Sequence, residues 1–185
     1  MMPKFFELSI YTCFFYFLVW VIWLFLVIPV EADGDIGFGS LAFLPHAARV
    51  LPVLFFGGKA IPAIYFSELV ATNYIGDLEY STSYGALISS TAILISWGAF
   101  KLLDVDLKSK RVLRNTDWKH VTLFILVSAL VNGIGNGAYY IYQYEVFDPL
   151  ISMRFVVGDI VGATIVILSL MFLTGFIKVP EIEDD

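Results

Sequence analysis

The sequence predicts an all-α, polytopic membrane helix bundle of about six transmembrane helices, with both termini on the same side. Three observations carry that prediction. The chain of 185 residues is 59% hydrophobic and 17% aromatic, against roughly 45–50% apolar residues in a typical soluble domain. Its apolar residues gather into six segments, each near the ~20 helical residues needed to cross about 30 Å of hydrocarbon. Its basic residues collect on one side of the layer those segments would form.

The segments run approximately over 5–30, 37–57, 60–76, 84–103, 119–144 and 152–178, within a single integral-membrane domain of 1–185 that ends in an acidic tail, 179–185. The first segment carries Val30-Glu31-Ala32, a loose match to a cleavage site. Its apolar run far exceeds a signal core of about 7–15 residues, so an uncleaved helix is expected. The second segment contains Pro45 and Pro52 and the third is short, which leaves open whether the 37–57 stretch spans fully or is broken or re-entrant.

Charge sets the orientation. With the amino terminus in the cytoplasm, Lys4, Lys59, Lys101, Lys108, Lys110, Arg111, Arg114, Lys119 and Lys178 all fall inside or at inner helix ends. The outer loops, 31–36, 77–83 and 145–151, hold acidic residues and no lysine or arginine. This is a positive-inside pattern, placing both termini in the cytoplasm. The basic stretch Lys108–Arg114 reads as a topology determinant that also attracts anionic lipid headgroups.

Within the apolar segments stand four ionisable residues, His46, Arg49, Glu68 and Asp159. A charge at the bilayer centre costs about 2.5–3.5 kcal/mol even on lenient scales, so such residues normally pair or line a polar cavity. Counting along each helix at about 1.5 Å per residue places them, with Asn132 and Asn136, at one depth in the outer half of the membrane. His46 and Arg49 are spaced i,i+3 and Asn132 and Asn136 i,i+4, so each pair shares a helix face. Arg49 cannot discharge and needs a carboxylate; Glu68 and Asp159 are at hand. The expected site is therefore a ligand-binding or buried polar network of His46, Arg49, Glu68, Asn73, Asn132, Asn136 and Asp159. A purely structural ion network is the competing reading.

Small residues supply close packing. Gly85, Ser89, Ala92, Ser96 and Ala99 form one stripe, and Gly133/Gly137 and Gly158/Gly162 are two G-x-x-x-G pairs, expected to pack helices within the molecule. The single cysteine, Cys13, excludes an intrachain disulfide and reads as a packing residue. One in-membrane histidine without a second ligand makes a poor metal site. No serine pairs convincingly with a base, and no nucleotide motif or basic groove is present. The sequence therefore predicts neither an enzyme nor a nucleic-acid binder, and names no cofactor.

Several ordered features resemble the first family of bacterial membrane-associated sensor domains. Phe43-Leu44-Pro45 opens a helix; Gly57-Gly58, Pro62 and Asn73 follow. Lys101-Leu102-Leu103 ends a further helix, Asp117-Trp118 precedes another, and Gly158-Asp159-Ile160-Val161-Gly162 lies in the last. The order covers about three-quarters of the chain, although His46 and Arg49 do not carry over from the family. The resemblance implies a bacterial inner-membrane (plasma-membrane) input module for signal transduction. Those modules are longer and are joined to histidine kinases or cyclic-di-GMP enzymes. Without such an output domain, this chain is expected to act through a separate membrane or cytoplasmic protein partner, binding a small ligand or partner from the outer side. Two alternatives remain open. One is a small-molecule uptake component, similar to the substrate-binding subunits of energy-coupling-factor transporters. The other is a structural subunit of a membrane complex. Against uptake, the first helix is bulky and aromatic where those subunits carry small docking residues.

Overall fold

The computed structural model describes residues 4–31, 39–75, 83–105, 107, 118–145 and 147–176. The described residues form helices and connections, with no strand among them. Five helical stretches are long and apolar enough to cross a membrane: Lys4–Glu31, Pro45–Asn73, Tyr84–Leu102, Lys119–Tyr144 and Pro149–Leu173. The acidic tail and the basic stretch Lys108–Arg114 lie outside the described residues.

α1 (Lys4–Leu26) turns at Val27 into the one-turn α2 (Ile28–Glu31). Thr12, Tyr16, Val19, Trp20 and Trp23 form the buried edge of α1, a helical spacing that turns one stripe to the bundle. Many of its other apolar side chains, Phe14 and Phe25 among them, stay exposed. Exposed apolar surface on this scale costs nothing in lipid and would be a liability in water. Cys13 sits against a later helix, its Sγ 3.8 Å from the Ala63 carbonyl oxygen, as a packing residue would.

The second stretch corrects the sequence-based boundaries. Residues 39–44 are not helical, and α3 (Pro45–Phe56) starts with Pro45 in its first turn, where the missing N–H costs nothing. Twelve residues reach only about 18 Å, short of the ~30 Å hydrocarbon core. The described part of that segment is therefore a half-length helix preceded by the non-helical, turn-containing residues 39–44. At Gly57 the backbone takes φ 68°, ψ −160°, a conformation essentially reserved for glycine. A 3₁₀ turn (Gly57–Ala60) then leads into α4 (Ile61–Val70), which ends in a π turn (Ala71–Ile75). Contact between Arg49 and Glu68, described below, requires the chain to fold back here. Pro45–Asn73 is thus two arms of a hairpin.

α5 (Ser83–Leu102), α6 (Trp118–Tyr144) and α7 (Pro149–Phe176) pack in series, and α3 lies along α7. α5 and α6 run antiparallel: Tyr84 stacks on Tyr139 at 5.7 Å between ring centroids, and at the other end Phe100 meets Phe124 edge-on at 5.4 Å. Both glycine pairs are internal seams. A Cβ on Gly133 or Gly137 would strike Val156 or Ser152 of α7, so α6 and α7 approach with little between their backbones. On α7, Gly158 and Gly162 receive something other than a helix. Added Cβ atoms would fall on the carbonyls of Ser40 and Phe43, and the Phe43 N–H donates to the Gly158 carbonyl at 2.9 Å.

The non-helical segment is tied at its other edge too. The Glu31 carboxylate accepts from the N–H groups of Leu41 and Ala42 at 3.0 and 3.2 Å, and the Trp23 indole donates to Ser40 Oγ at 3.2 Å. Non-helical backbone at membrane depth is tolerated where protein satisfies its polar groups, and here both neighbouring elements do so.

Candidate functional site

The short α3 presents His46 and Arg49 to the middle of the bundle, where α1, α4, α6 and α7 converge on them. All but one of the polar residues predicted for the site meet there. Arg49 lies at 3% relative exposure, Glu68 at 2%, Asp159 at 1% and His46 at 0%. The cluster is therefore sealed from both solvent and lipid.

Glu68 holds the guanidinium from two sides. Arg49 Nε donates to Glu68 Oε2 at 3.1 Å, and Arg49 Nη2 donates to Glu68 Oε1. This forked pairing matches the planar geometry of both groups. The third guanidinium nitrogen, Nη1, stands 3.7 Å from Asp159 Oδ1 without a hydrogen bond. Arg49 also lies over the Phe43 ring, 4.8 Å from its centroid. Residue 43 in the non-helical segment and residue 49 on α3 thereby stack against each other.

Asp159 is the hub on α7. Its Oδ2 accepts from Asn132 Nδ2 at 2.6 Å and faces His46 Nδ1 at 3.3 Å. The Asn136 amide donates to the Asn132 side-chain oxygen at 2.9 Å and to its main-chain oxygen at 3.0 Å. That bond fixes the Asn132 amide with its nitrogen toward Asp159, so the two asparagines work in sequence on one carboxylate. On its far edge the imidazole meets Ser128 Oγ, 3.1 Å from Nε2. Ser128 itself donates to the Ile125 carbonyl at 3.1 Å.

Asn73 does not join them. It is exposed, and its amide donates to the Leu69 carbonyl of its own helical turn at 2.7 Å. Ser128, Tyr16 and Phe43 were not expected at the site. Ser128 precedes Asn132 by one helical turn, so the polar stripe of α6 could have been extended back to it. Tyr16, fully buried on α1, lies within electrostatic reach of Arg49, Glu68 and Asp159. Within a run of aromatic residues nothing in the sequence marks it.

The chemistry of the centre follows from its charges. One guanidinium faces two carboxylates, with an imidazole beside the second. Glu68 satisfies Arg49 nearly alone, leaving Asp159 with amide, imidazole and long-range guanidinium contacts. Among the described residues no group of three or more histidine, cysteine, aspartate and glutamate side chains is placed to hold a metal. His120 is exposed in the first turn of α6, about two helical turns before Ser128, the α6 residue that His46 meets.

Compared with protein-family models, curated proteins and solved structures, the chain matches none.

Proposed function

We propose that this chain is a sensor-like membrane module, both termini cytoplasmic, whose responsive element is the buried cluster around Asp159. In this reading α1, the two hairpin arms, α5, α6 and α7 make six passes, the α3 pass being completed by the non-helical segment 39–44. The positive-inside distribution of lysine and arginine supports that orientation, and the ordered resemblance to membrane sensor domains supports the role.

One observation carries the reading. The centre holds two carboxylates against one guanidinium: Glu68 takes the forked pair, and Asp159 keeps only the 3.7 Å approach of Arg49 Nη1 and the imidazole of His46 at 3.3 Å. A small cation relieves the imbalance, and a proton is the smallest. The titratable groups facing Asp159 are Tyr16 from α1, His46 and Arg49 from α3, and Glu68 from α4. α6 offers only the neutral Ser128, Asn132 and Asn136.

Neutralising Asp159 weakens its hold on His46 and Arg49, which ride on the half-length α3. The non-helical segment leading into α3 is seated on α7 directly beside Asp159. Cation uptake there favours a different seating of α3 to the extent that the two seatings differ in affinity for the cation. The hairpin carries that difference to the opposite membrane face, where a separate protein partner reads it.

The test uses the full chain in lipid vesicles. Trp20 and Trp23 flank Phe43, so indole fluorescence reports the seat. We expect fluorescence to titrate with external pH or sodium in the native protein and to stay flat in Asp159→Asn. Identical titrations in the two proteins, or none in either, overturn the reading.

A further inference from the structure

A second site lies at the other end of the bundle, away from the buried cluster. The hairpin tip, the end of α5 and the chain just beyond it enclose a half-open cavity of about 760 Å³. That volume falls within the roughly 300–1,000 Å³ typical of small-molecule sites. Because Phe100 pairs with Phe124 while Tyr84 pairs with Tyr139, the cavity occupies the end of the bundle where α6 begins with exposed Lys119.

Its walls are built. Gly58 lies flat under the Trp97 indole, and a Cβ there would come within 2.9 Å of the ring. Lys101 Nζ stands 5.2 Å from the centroid of that indole, a cation–π distance. Lys59 projects from the tip. After α5 the chain is turned back by a two-bond helix cap. The Val105 N–H donates to the Phe100 carbonyl at 3.0 Å and the Asp104 N–H to the Lys101 carbonyl at 3.3 Å, with Asp104 at φ 56°. This is the Schellman arrangement, rarely built on an aspartate. It folds Val105 and Leu107 against the core and leaves Asp104 on the cavity rim.

We infer that this cavity binds the phosphate of an anionic phospholipid headgroup, held between Lys59 and Lys101 with Trp97 as its floor. Two exposed ammonium groups converge on one recess at a helix-end level, where indoles and lysines meet the interface. Each lysine near an anionic surface contributes about a fivefold gain in binding. Asp104 opposes them and sets the affinity below what the lysines alone would give.

Asp104 makes the test independent of loss of fold. Asparagine tolerates positive φ, so Asp104→Asn removes the charge and keeps the cap. The full chain in mild detergent is titrated with phosphatidylglycerol, and bound lipid is counted by native mass spectrometry. We expect Asp104→Asn to retain the lipid several-fold more tightly and Lys59→Gln/Lys101→Gln to lose about 25-fold. Phosphatidylcholine should bind more weakly than phosphatidylglycerol. Unchanged retention in Asp104→Asn, or in a folded double-lysine variant, overturns the proposal. Glycerol phosphate competing at the same concentration as the lipid overturns the lipid source and assigns the recess to a soluble phosphate.

Discussion

Arg49 and Glu68 are separated by 19 positions in the chain, yet the guanidinium of one meets both carboxylate oxygens of the other. In a continuous helix that separation would place their backbones about 28 Å apart. The pair is therefore the lock of the hairpin as well as the anchor of the buried cluster.

Removing the arginine of the lock leaves buried carboxylates without their cation. Arg49→Met is expected to lower stability by about 3–5 kcal/mol, whereas Arg49→Met with Glu68→Leu should lose less. Chemical unfolding in detergent across the double-mutant cycle measures both. A double variant as damaged as the single one would show that the pair contributes more than its own neutralisation.

Asp159 should behave differently from Glu68, although both are buried carboxylates. Asparagine keeps the shape and can still accept from Asn132 while removing the surplus charge. Asp159→Asn is expected to change stability by less than about 1 kcal/mol, because Glu68 continues to satisfy Arg49. A loss near that of Arg49→Met in the same unfolding assay would make Asp159 an obligate partner of Arg49.

The glycines divide by what they face. Gly158→Ala and Gly162→Ala drive a methyl into backbone carbonyls of residues 40 and 43, and each should destabilise by about 1–3 kcal/mol or more. Gly98→Ala meets nothing within 4 Å and should gain up to about 1 kcal/mol through helix propensity. Thermal unfolding of the three single variants orders them, and a destabilising Gly98→Ala would contradict the open space there.

Gly57 holds the reversal. Gly57→Ala places a side chain on a backbone that only glycine adopts freely and should cost about 1–3 kcal/mol. The matched control, Gly58→Ala, is limited by Trp97 instead, so combining it with Trp97→Leu should recover part of its loss. Without that recovery, the indole is not what constrains residue 58.

Orientation is open to direct measurement. In a Cys13→Ser background, single cysteines at Lys59 and Lys101 should react with impermeant maleimide from the cytoplasmic side, and one at Phe147 from the other. Reaction of all three from one side would overturn the orientation proposed above.

Much of this architecture could be read from the residues because lipid punishes polar groups so heavily. His46 and Arg49 one turn apart, Asn132 and Asn136 one turn apart, and single carboxylates at 68 and 159 reduced the problem to comparing depths along helices. Those depths brought the cluster together. Asn73 stood in the expected site on the resemblance and not on depth, and its amide bonds the Leu69 carbonyl of its own helical turn. The 37–57 stretch stayed open between a spanning and a broken helix because apolar composition is the same for helix and for non-helical chain buried against glycines. Pro45 was the visible sign of the true helix start. The partner of Gly158 and Gly162 was beyond local reading: a G-x-x-x-G pair announces close approach without saying whether helix or non-helical backbone arrives.

The seat of residues 40–43 on α7 also dictates an order of assembly. A ribosome releases the non-helical segment and α3 long before it has made Gly158, and until then the Phe43 N–H has no carbonyl to meet. Nor can Arg49 and His46 find Asp159. The first half of the chain must therefore wait, incompletely docked, for the last helix to enter the membrane. Final closure of the bundle is a post-insertion event, and a nascent chain stalled before α7 would present its arginine–glutamate hairpin, paired but undocked, to the insertion and quality-control machinery.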